Sequence, residues 1–391
     1  MIATINLKGI FEFKKSDTLF DLPLLYAMLC LIGVGFVMVT SASMPVAERL
    51  FDNPYHIIVR HGMFLFMGMI LFWLSTSVSM LWWKRFNPYL LLLGVLMLIL
   101  VLIIGREANG ARRWIPVGPV GIQAAEVAKL FFISYIAGYL VRKRDEVQEN
   151  IKGFAKPIVV FAVYAFLILM QPDLGTVVVI FVTTVGLLFL AGAKLWQFFV
   201  LMLTGVFLVI MLIIFEPYRM ARVVGFLEPW KDPFGKGYQL VQSLMAYGQG
   251  GWFGQGLGNS VQKLQYLPEA HNDFIFAVIA EELGFMGVVC VLLMLGTLVF
   301  RALIIGQQAL KSQKEYEGYL ALGIGIWFAF QTLVNVGASA GMLPTKGLTL
   351  PFVSYGGSSL LVMTIAAGLL QRIDFETKMS TRQATSRGSK R

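Results

Sequence analysis

Apolar residues in this chain come in long blocks, not in alternation. Stretches long enough to cross a hydrocarbon core as helices, about 20 mostly apolar residues each, recur ten times. They fall at 20–42, 57–77, 87–105, 121–141, 155–171, 173–192, 195–216, 273–300, 318–340 and 355–371. The fourth is the weakest by hydropathy, because Glu126 and Lys129 lie inside it. Only Gln171-Pro172-Asp173 separates the fifth from the sixth, and the proline splits the run into two short helices. Barrel strands would alternate apolar and polar positions. The pattern therefore predicts an all-α fold, a polytopic bundle of about ten transmembrane helices. No internal repeat is visible, so the sequence gives no support to an inverted-repeat transporter.

Composition narrows the class further. Of 391 residues 57% are hydrophobic and only 14% charged, where a soluble domain carries about 25% charge. That excludes an ordinary soluble enzyme and a disordered chain. Cys30 and Cys290 both fall in apolar blocks, which argues against a disulfide framework or thiolate metal site and reads as two small buried side chains. Residues 1–19 contain no apolar core and no small-residue cleavage site, so they read as a cytoplasmic segment and not as a removable signal peptide. The net charge is +10, and twenty of the 32 lysines and arginines fall in segments on the N-terminal side of the ten spans. By the positive-inside rule both termini are cytoplasmic. The organisation expected is a cytoplasmic segment 1–19, a transmembrane domain 20–372 and a basic cytoplasmic tail 373–391. The tail is expected to be disordered and to act as a topology anchor near anionic lipid, with no nucleic-acid role.

Two segments that this topology places outside stand out. Residues 106–120 are rich in Gly, Pro and Arg, and residues 217–272 form a long connection with four prolines. A loop of that length in a compact protein is usually functional.

The scarce charges carry most of the chemical information, because ionisable groups in or against a bilayer are costly. Asp273 opens the eighth span, with Glu269 and His271 before it and Glu281 and Glu282 about two turns after it. A carboxylate at the water–membrane boundary beside another acid suits general-base work; Asp273 could equally cap the helix. Glu126 and Lys129 are spaced i, i+3 and favour a structural ion pair, with a polar cavity wall as the alternative. Arg112 and Arg113 precede Trp114, a pattern that fits either phosphate recognition or interfacial anchoring. Asp173 follows a proline and reads first as a helix cap. The last outer segment, 341–359, holds Lys346 as its one cation and ends in GGSS, which could offer donors to an anion. No Walker loop, no dinucleotide fingerprint and no Ser–His–Asp set is visible, and His56 and His61 have no nearby ligand pattern for a metal.

Five ordered blocks resemble the SEDS family of polytopic peptidoglycan glycosyltransferases. They are NGARRWI (109–115), QAAEVAKL (123–130), QPDLGT (171–176), the long block 237–284 containing LPEAHNDFIF, and NVGASAGMLPTKGLTLPFVSYGGSS (335–359). The resemblance covers about 20–372, and its wording is closer to the division members than to the elongation members. It departs from the family in Ala124 after Gln123, where proline is usual, and in Asn272 before the aspartate, where threonine is common.

The resemblance implies that lipid II is polymerised into glycan strands at the division septum of the bacterial inner membrane. Asp273 would be the general base and Glu269 its catalytic neighbour. The substrate-binding candidates are Arg113, Lys263, His271, Lys346, Glu126, Lys129 and Asp173, with Arg113, Lys263 and Lys346 facing the leaving diphosphate. A divalent cation, Mg or Mn, could share that task, with no ligand set apparent and no other cofactor implied. The implied partners are a class B penicillin-binding protein, the septal transpeptidase, and other divisome proteins, besides membrane lipids. Alternative readings are a lipid II flippase and a non-catalytic division scaffold.

Overall fold

The structure is a computed structural model that describes residues 20–108, 111–117, 120–264, 266–344 and 347–388. The expected N-terminal segment 1–19 and Lys346 lie outside the described residues. The chain runs through α1 (Leu22–Phe51), α2 (His56–Ser77) and α3 (Met80–Ile104) into three short strands, β1 (Arg106–Ala108), β2 (Ala111–Val117) and β3 (Val120–Gln123). Next come α4 (Ala124–Arg142), α5 (Arg144–Glu149), α6 (Ile151–Leu169), α7 (Leu174–Leu190) and α8 (Leu195–Ile214). Then follow α9 (Pro217–Leu227), α10 (Tyr238–Gly250), α11 (Ile275–Lys311), α12 (Glu315–Ser339) and α13 (Gly357–Gly388).

The ten expected spans correspond to α1–α4, α6–α8 and α11–α13. Among the described residues nine of these helices are long and apolar enough to cross a membrane, and α7 is a shorter apolar helix. The chain is a multi-pass membrane protein. The bundle is centred on α4 and α12, whose residues are buried on nearly every side. Helix α8 buries only Gln197 and Gly205 and lies at the periphery. Small residues let the helices approach: a Cβ on Gly94 would sit 2.3 Å from the Tyr164 hydroxyl, so α3 and α6 could not pack as they do with a larger residue there.

Five features depart from the reading of the sequence. First, the segment expected as a loop around 106–120 is an antiparallel three-stranded sheet, with Trp114 paired to both Arg106 and Gln123. The fourth span accordingly begins at Ala124, after β3. Second, the outer segment 217–272 holds α9, a 3-10 turn at Pro229–Lys231 and α10, which packs on α11. Third, α13 runs on through residues 373–388 of the expected tail. That stretch contains no helix breaker before Gly388, and it is supported by i, i+4 pairs Arg372–Glu376 at 2.7 Å and Lys378–Asp374 at 2.5 Å. Fourth, Cys30 and Cys290 are exposed on the bundle surface, not buried; an apolar block in a membrane protein places side chains toward lipid as readily as toward the core.

The fifth is a break in α11. Gly284 adopts φ 67° and ψ −166° inside it. Backbone groups freed by the break are taken up by the segment after α10. Gln255 and Gly256 amides donate to the Glu281 and Glu282 carbonyls, at 2.9 and 3.0 Å. Phe285 and Met286 amides donate to the Gly251 and Trp252 carbonyls, at 2.9 and 3.1 Å. Irregular backbone survives in a bundle only when protein covers it in this way. A Cβ on Gly284 would meet the Gly254 nitrogen at 2.3 Å. We therefore expect Gly284→Ala to destabilise the protein by about 1–3 kcal/mol, the usual cost of a side chain in a sparsely populated backbone region. Thermal unfolding in detergent checks this; an unchanged midpoint would show that the break is not a rigid feature.

Candidate functional site

The site lies at the end of the bundle expected to face outside. Asp273 immediately precedes Phe274, the residue flanking α11, and no side chain caps that helix. The capping reading of Asp273 therefore does not hold. Its backbone is fixed by α12: Asn335 Nδ2 donates to the Asp273 carbonyl at 3.0 Å and to the Leu348 carbonyl at 2.6 Å. The Tyr355 amide donates to the His271 carbonyl at 3.0 Å. These bonds tie residues 271–273 to the strap 347–355. A Cβ on Gly347 would come within 3.2 Å of Asp273 Oδ2, so the strap backbone lies directly against the carboxylate.

Behind the strap runs a buried polar chain. Gln331 Nε2 donates to the Thr349 carbonyl and hydroxyl, at 2.9 and 3.2 Å. Gln331 Oε1 accepts from Trp327 Nε1 at 2.7 Å and from Lys129 Nζ at 3.2 Å. Lys129 Nζ pairs with Glu126 at 2.9 Å and lies 4.5 Å from the Trp327 ring centre. Lys129 is 0% exposed. The ion pair that the i, i+3 spacing favours is thus formed, with Gln331 as a further partner of Lys129. A fully buried ammonium is stable only with such a set of partners.

Other sequence candidates divide in the same way. Arg113 Nε and Nη2 donate to the Gln171 and Pro172 carbonyls, at 2.8 and 2.7 Å, so β2 is pinned to the turn between α6 and α7. Asp173 caps α7, accepting from the Thr176 amide at 3.1 Å and hydroxyl at 2.8 Å. Lys263 is buried, with Nζ 2.7 Å from both Glu282 Oε1 and Ser41 Oγ. It joins α1, α11 and the outer segment. Glu281 and Glu282 are likewise anchors. Glu281 accepts from Ser260 Oγ at 2.5 Å and the Val261 amide at 2.8 Å, and Glu282 accepts from the Gly258 amide at 3.1 Å. The serines of GGSS are also engaged: Ser358 bridges to Gln123 and Gly121 of β3, and Ser359 bonds Thr349.

Asp273 and Glu269 stay partly exposed, with the buried His271 beside them. Asp273 is half-buried. Burial and then the Glu269 charge push its pKa up to about 7, Asp173 adds to the rise, and Arg222 and Arg113 oppose it. Glu269 has a left-handed backbone, φ 55°, and accepts from Asn272 Nδ2 at 2.5 Å. His271 is 9% exposed, and burial lowers its pKa against the pull of Glu269. The groups that act on Asp273 thus come from β2, the α6–α7 turn, α9 and the residues before α11. Among the described residues no group of three or more His, Cys, Asp or Glu side chains is placed to hold a metal ion. An acid poised near neutrality at a half-open surface can take a proton from a weak nucleophile.

Sequence reading missed Arg222, Asn335, Gln331 and Tyr355. Asn335 and Gln331 are amides inside an apolar span, and the cost argument applied to charges would have flagged them too. Arg222 carried only the weaker signal of an arginine in the long outer segment.

The family model described as "Cell cycle protein", covering FtsW, RodA and SpoVE, matches residues 22–379. A relative from Pseudoalteromonas translucida (strain TAC 125), named "Probable peptidoglycan glycosyltransferase FtsW", is 76% identical over 391 residues, 100% of this chain and 98% of its own length. One of the same name from Escherichia coli O6:H1 is 55% identical over 379 residues, 96% of this chain and 92% of its own length. The fold also matches solved structures. A chain from "Structural coordination of polymerization and crosslinking by a peptidoglycan synthase complex" superposes with TM-score 0.72 at 28% identity, covering 92% of this chain and 98% of that one. Thermus thermophilus rod shape determining protein RodA gives TM-score 0.67 at 27% identity, covering 91% of this chain and 96% of that one.

The electrostatics make a direct prediction. Glu269→Gln removes the neighbouring negative charge that disfavours ionised Asp273, so the Asp273 pKa should fall below about 7. The carboxylic acid C=O infrared band followed against pH, with Asp273→Asn as the assigning difference, measures it. A midpoint unmoved by Glu269→Gln would mean the two carboxylates are not coupled.

Proposed function

The chain belongs to the FtsW/RodA/SpoVE family of cell cycle proteins, and from that premise we propose that it polymerises lipid II into glycan strands at the division septum of the bacterial inner membrane. Residues 20–372 form the glycosyltransferase domain. The observation that carries this reading is Asp273, a half-buried carboxylate with a pKa near 7 on a backbone fixed from two sides.

In this reading Asp273 accepts the proton of a sugar 4-hydroxyl as that oxygen attacks the anomeric carbon of a second lipid-linked sugar. The new glycosidic bond forms on the face opposite the departing undecaprenyl diphosphate, which carries away the electron pair of the broken bond. The anomeric configuration is therefore inverted. Glu269 raises the basicity of Asp273 by charge and keeps it from ionising too readily. His271, in contact with the same space, supplies a hydrogen bond to the sugars. Arg113 and Arg222 bring positive potential toward the region where the diphosphate charge develops, the kind of stabilisation that usually contributes most to catalysis. The proposed steps use the chain's own groups. A class B penicillin-binding protein, acting as septal transpeptidase, is the proposed partner that crosslinks the strands.

Purified protein with that partner, supplied with lipid II, tests the reading. Asp273→Asn should lower glycan formation roughly a hundredfold or more, the scale of general-base catalysis. Product formed at the wild-type rate would remove Asp273 from the role, and lipid II crossing liposomes without polymer would favour a flippase. The pH dependence has a definite sign. A base must be ionised, and a carboxyl held at about 7 loses its proton only above that value. The wild-type rate should therefore rise as pH increases through about 7 and level off above it.

A further inference from the structure

Only Phe215 and Glu216 separate α8 from α9. Helix α8 is a span exposed on nearly every side, so α9 starts at the edge of the hydrocarbon region, on the side expected to be outside. The chain bends there and does not continue one helix. Glu216 has an extended backbone, and Pro217 lacks the amide that would carry the ladder on. Arg219 Nη1 folds back and donates to the Leu212 carbonyl at 2.9 Å, taking up one of the groups left free at the end of α8.

The residues of α9 divide by side. Met220, Val223, Val224 and Leu227 are spaced i, i+3, i+4, i+7 and share one face. Val224 and Leu227 are 45% and 69% exposed. The opposite side packs on protein: Gly225 is buried, and a Cβ there would lie 2.4 Å from the Lys236 carbonyl oxygen. Arg222 shares that side. It donates to the Tyr218 hydroxyl and lies 4.7 Å from the centre of its ring, and its charge is one of those that act on Asp273.

The turn after α9 also presents apolar groups. Asp232 fixes it: its carbonyl accepts from the Gly235 and Gly237 amides at 3.2 and 3.1 Å, and its carboxylate accepts from the Lys236 amide at 3.0 Å. Phe234, in that turn, is 88% exposed, and Trp230 just before it 59%. Aromatic rings displayed in this way, next to the end of a span, match the belt of a membrane interface. The charges do not suggest attraction to anionic lipid. Between 216 and 236 four cations stand with three acids, and Lys231 pairs with Glu228 at 2.8 Å.

We propose that α9 is an interfacial anchor: its Met220–Leu227 face lies in the outer leaflet, at the level of the headgroups and first acyl carbons, and so sets the height of Arg222 over the bilayer. A short amphipathic helix held at the end of a span can bury its apolar face there without crossing the membrane. The lipid-facing surface of α8 then continues onto α9. The anchor does not depend on which reaction the site performs.

The test uses the full-length protein in phosphatidylcholine nanodiscs. Cys30 and Cys290, both exposed on the bundle, are replaced by Ala. Nitroxide labels are then placed singly through Val224→Cys, Leu227→Cys and, for the opposite side, Tyr218→Cys. The first two labels should collide more often with oxygen than with a water-soluble nickel chelate, at a depth of about 5–10 Å. The third should show the reverse preference. If the cysteine-free background does not fold, the same three substitutions in the otherwise native chain carry the test. Modification by a membrane-impermeant maleimide, above the rate of the native protein, should then be slow at 224 and 227 and fast at 218. Water-accessible labels at 224 and 227 would overturn the proposal, as would equal signals at all three positions. A lipid-facing signal that needs anionic lipid would also overturn it, in favour of electrostatic attraction. Protection that arises only when a partner protein is added would overturn it in favour of a protein docking face.

Discussion

Backbone carbonyls that cannot reach water must find donors inside the protein, and one side-chain amide meets that demand at the centre of the site. Asn335 Nδ2 holds the carbonyls of Asp273 and Leu348 together. With the bond from Tyr355 to His271, it makes the strap 347–355 and the start of α11 a single unit. The position of the Asp273 carboxylate follows from that join. So does the close approach of Gly347, whose missing side chain leaves room for the carboxylate.

The same demand explains where the charges lie. Glu126 and Lys129 pair with each other, and Lys129 also meets Gln331, which holds Thr349 of the strap. Glu281 and Glu282 take donors from residues 258–263 and hold that segment against the break in α11. Breaking a buried pair by removing one partner typically costs about 3–5 kcal/mol, because the other charge is left uncompensated. These groups therefore rigidify the scaffold around a small accessible set. Asp273 and Glu269 keep surface open, and burial with the Glu269 charge holds the Asp273 carboxyl up near neutrality.

At Asp273 an aspartate faces a carboxylate and a partly desolvated surface, which favours proton transfer over permanent charge. The long outer segment contributes from above, through Arg222 of α9 and the anchored loop after α10.

The sequence by itself determined the ten apolar helices and the residues too costly to keep in them without a use. Block-wise hydropathy is a local property and reads directly into helices. Asp273 with its acidic neighbour was legible for the same reason, since the motif is contiguous. Tertiary structure alone decided which buried polar groups meet across distant helices. Lys263 and Ser41 are 222 positions apart, Lys129 and Gln331 are 202 apart, and Asn335 reaches Asp273 across 62. Pairing of buried charge is a through-space interaction between distant helices, and no local pattern records it. That is why Lys263 showed no sign in sequence of its contacts with Glu282 and Ser41, whereas the Glu126–Lys129 pair and the Asp173 cap, both local, were legible there.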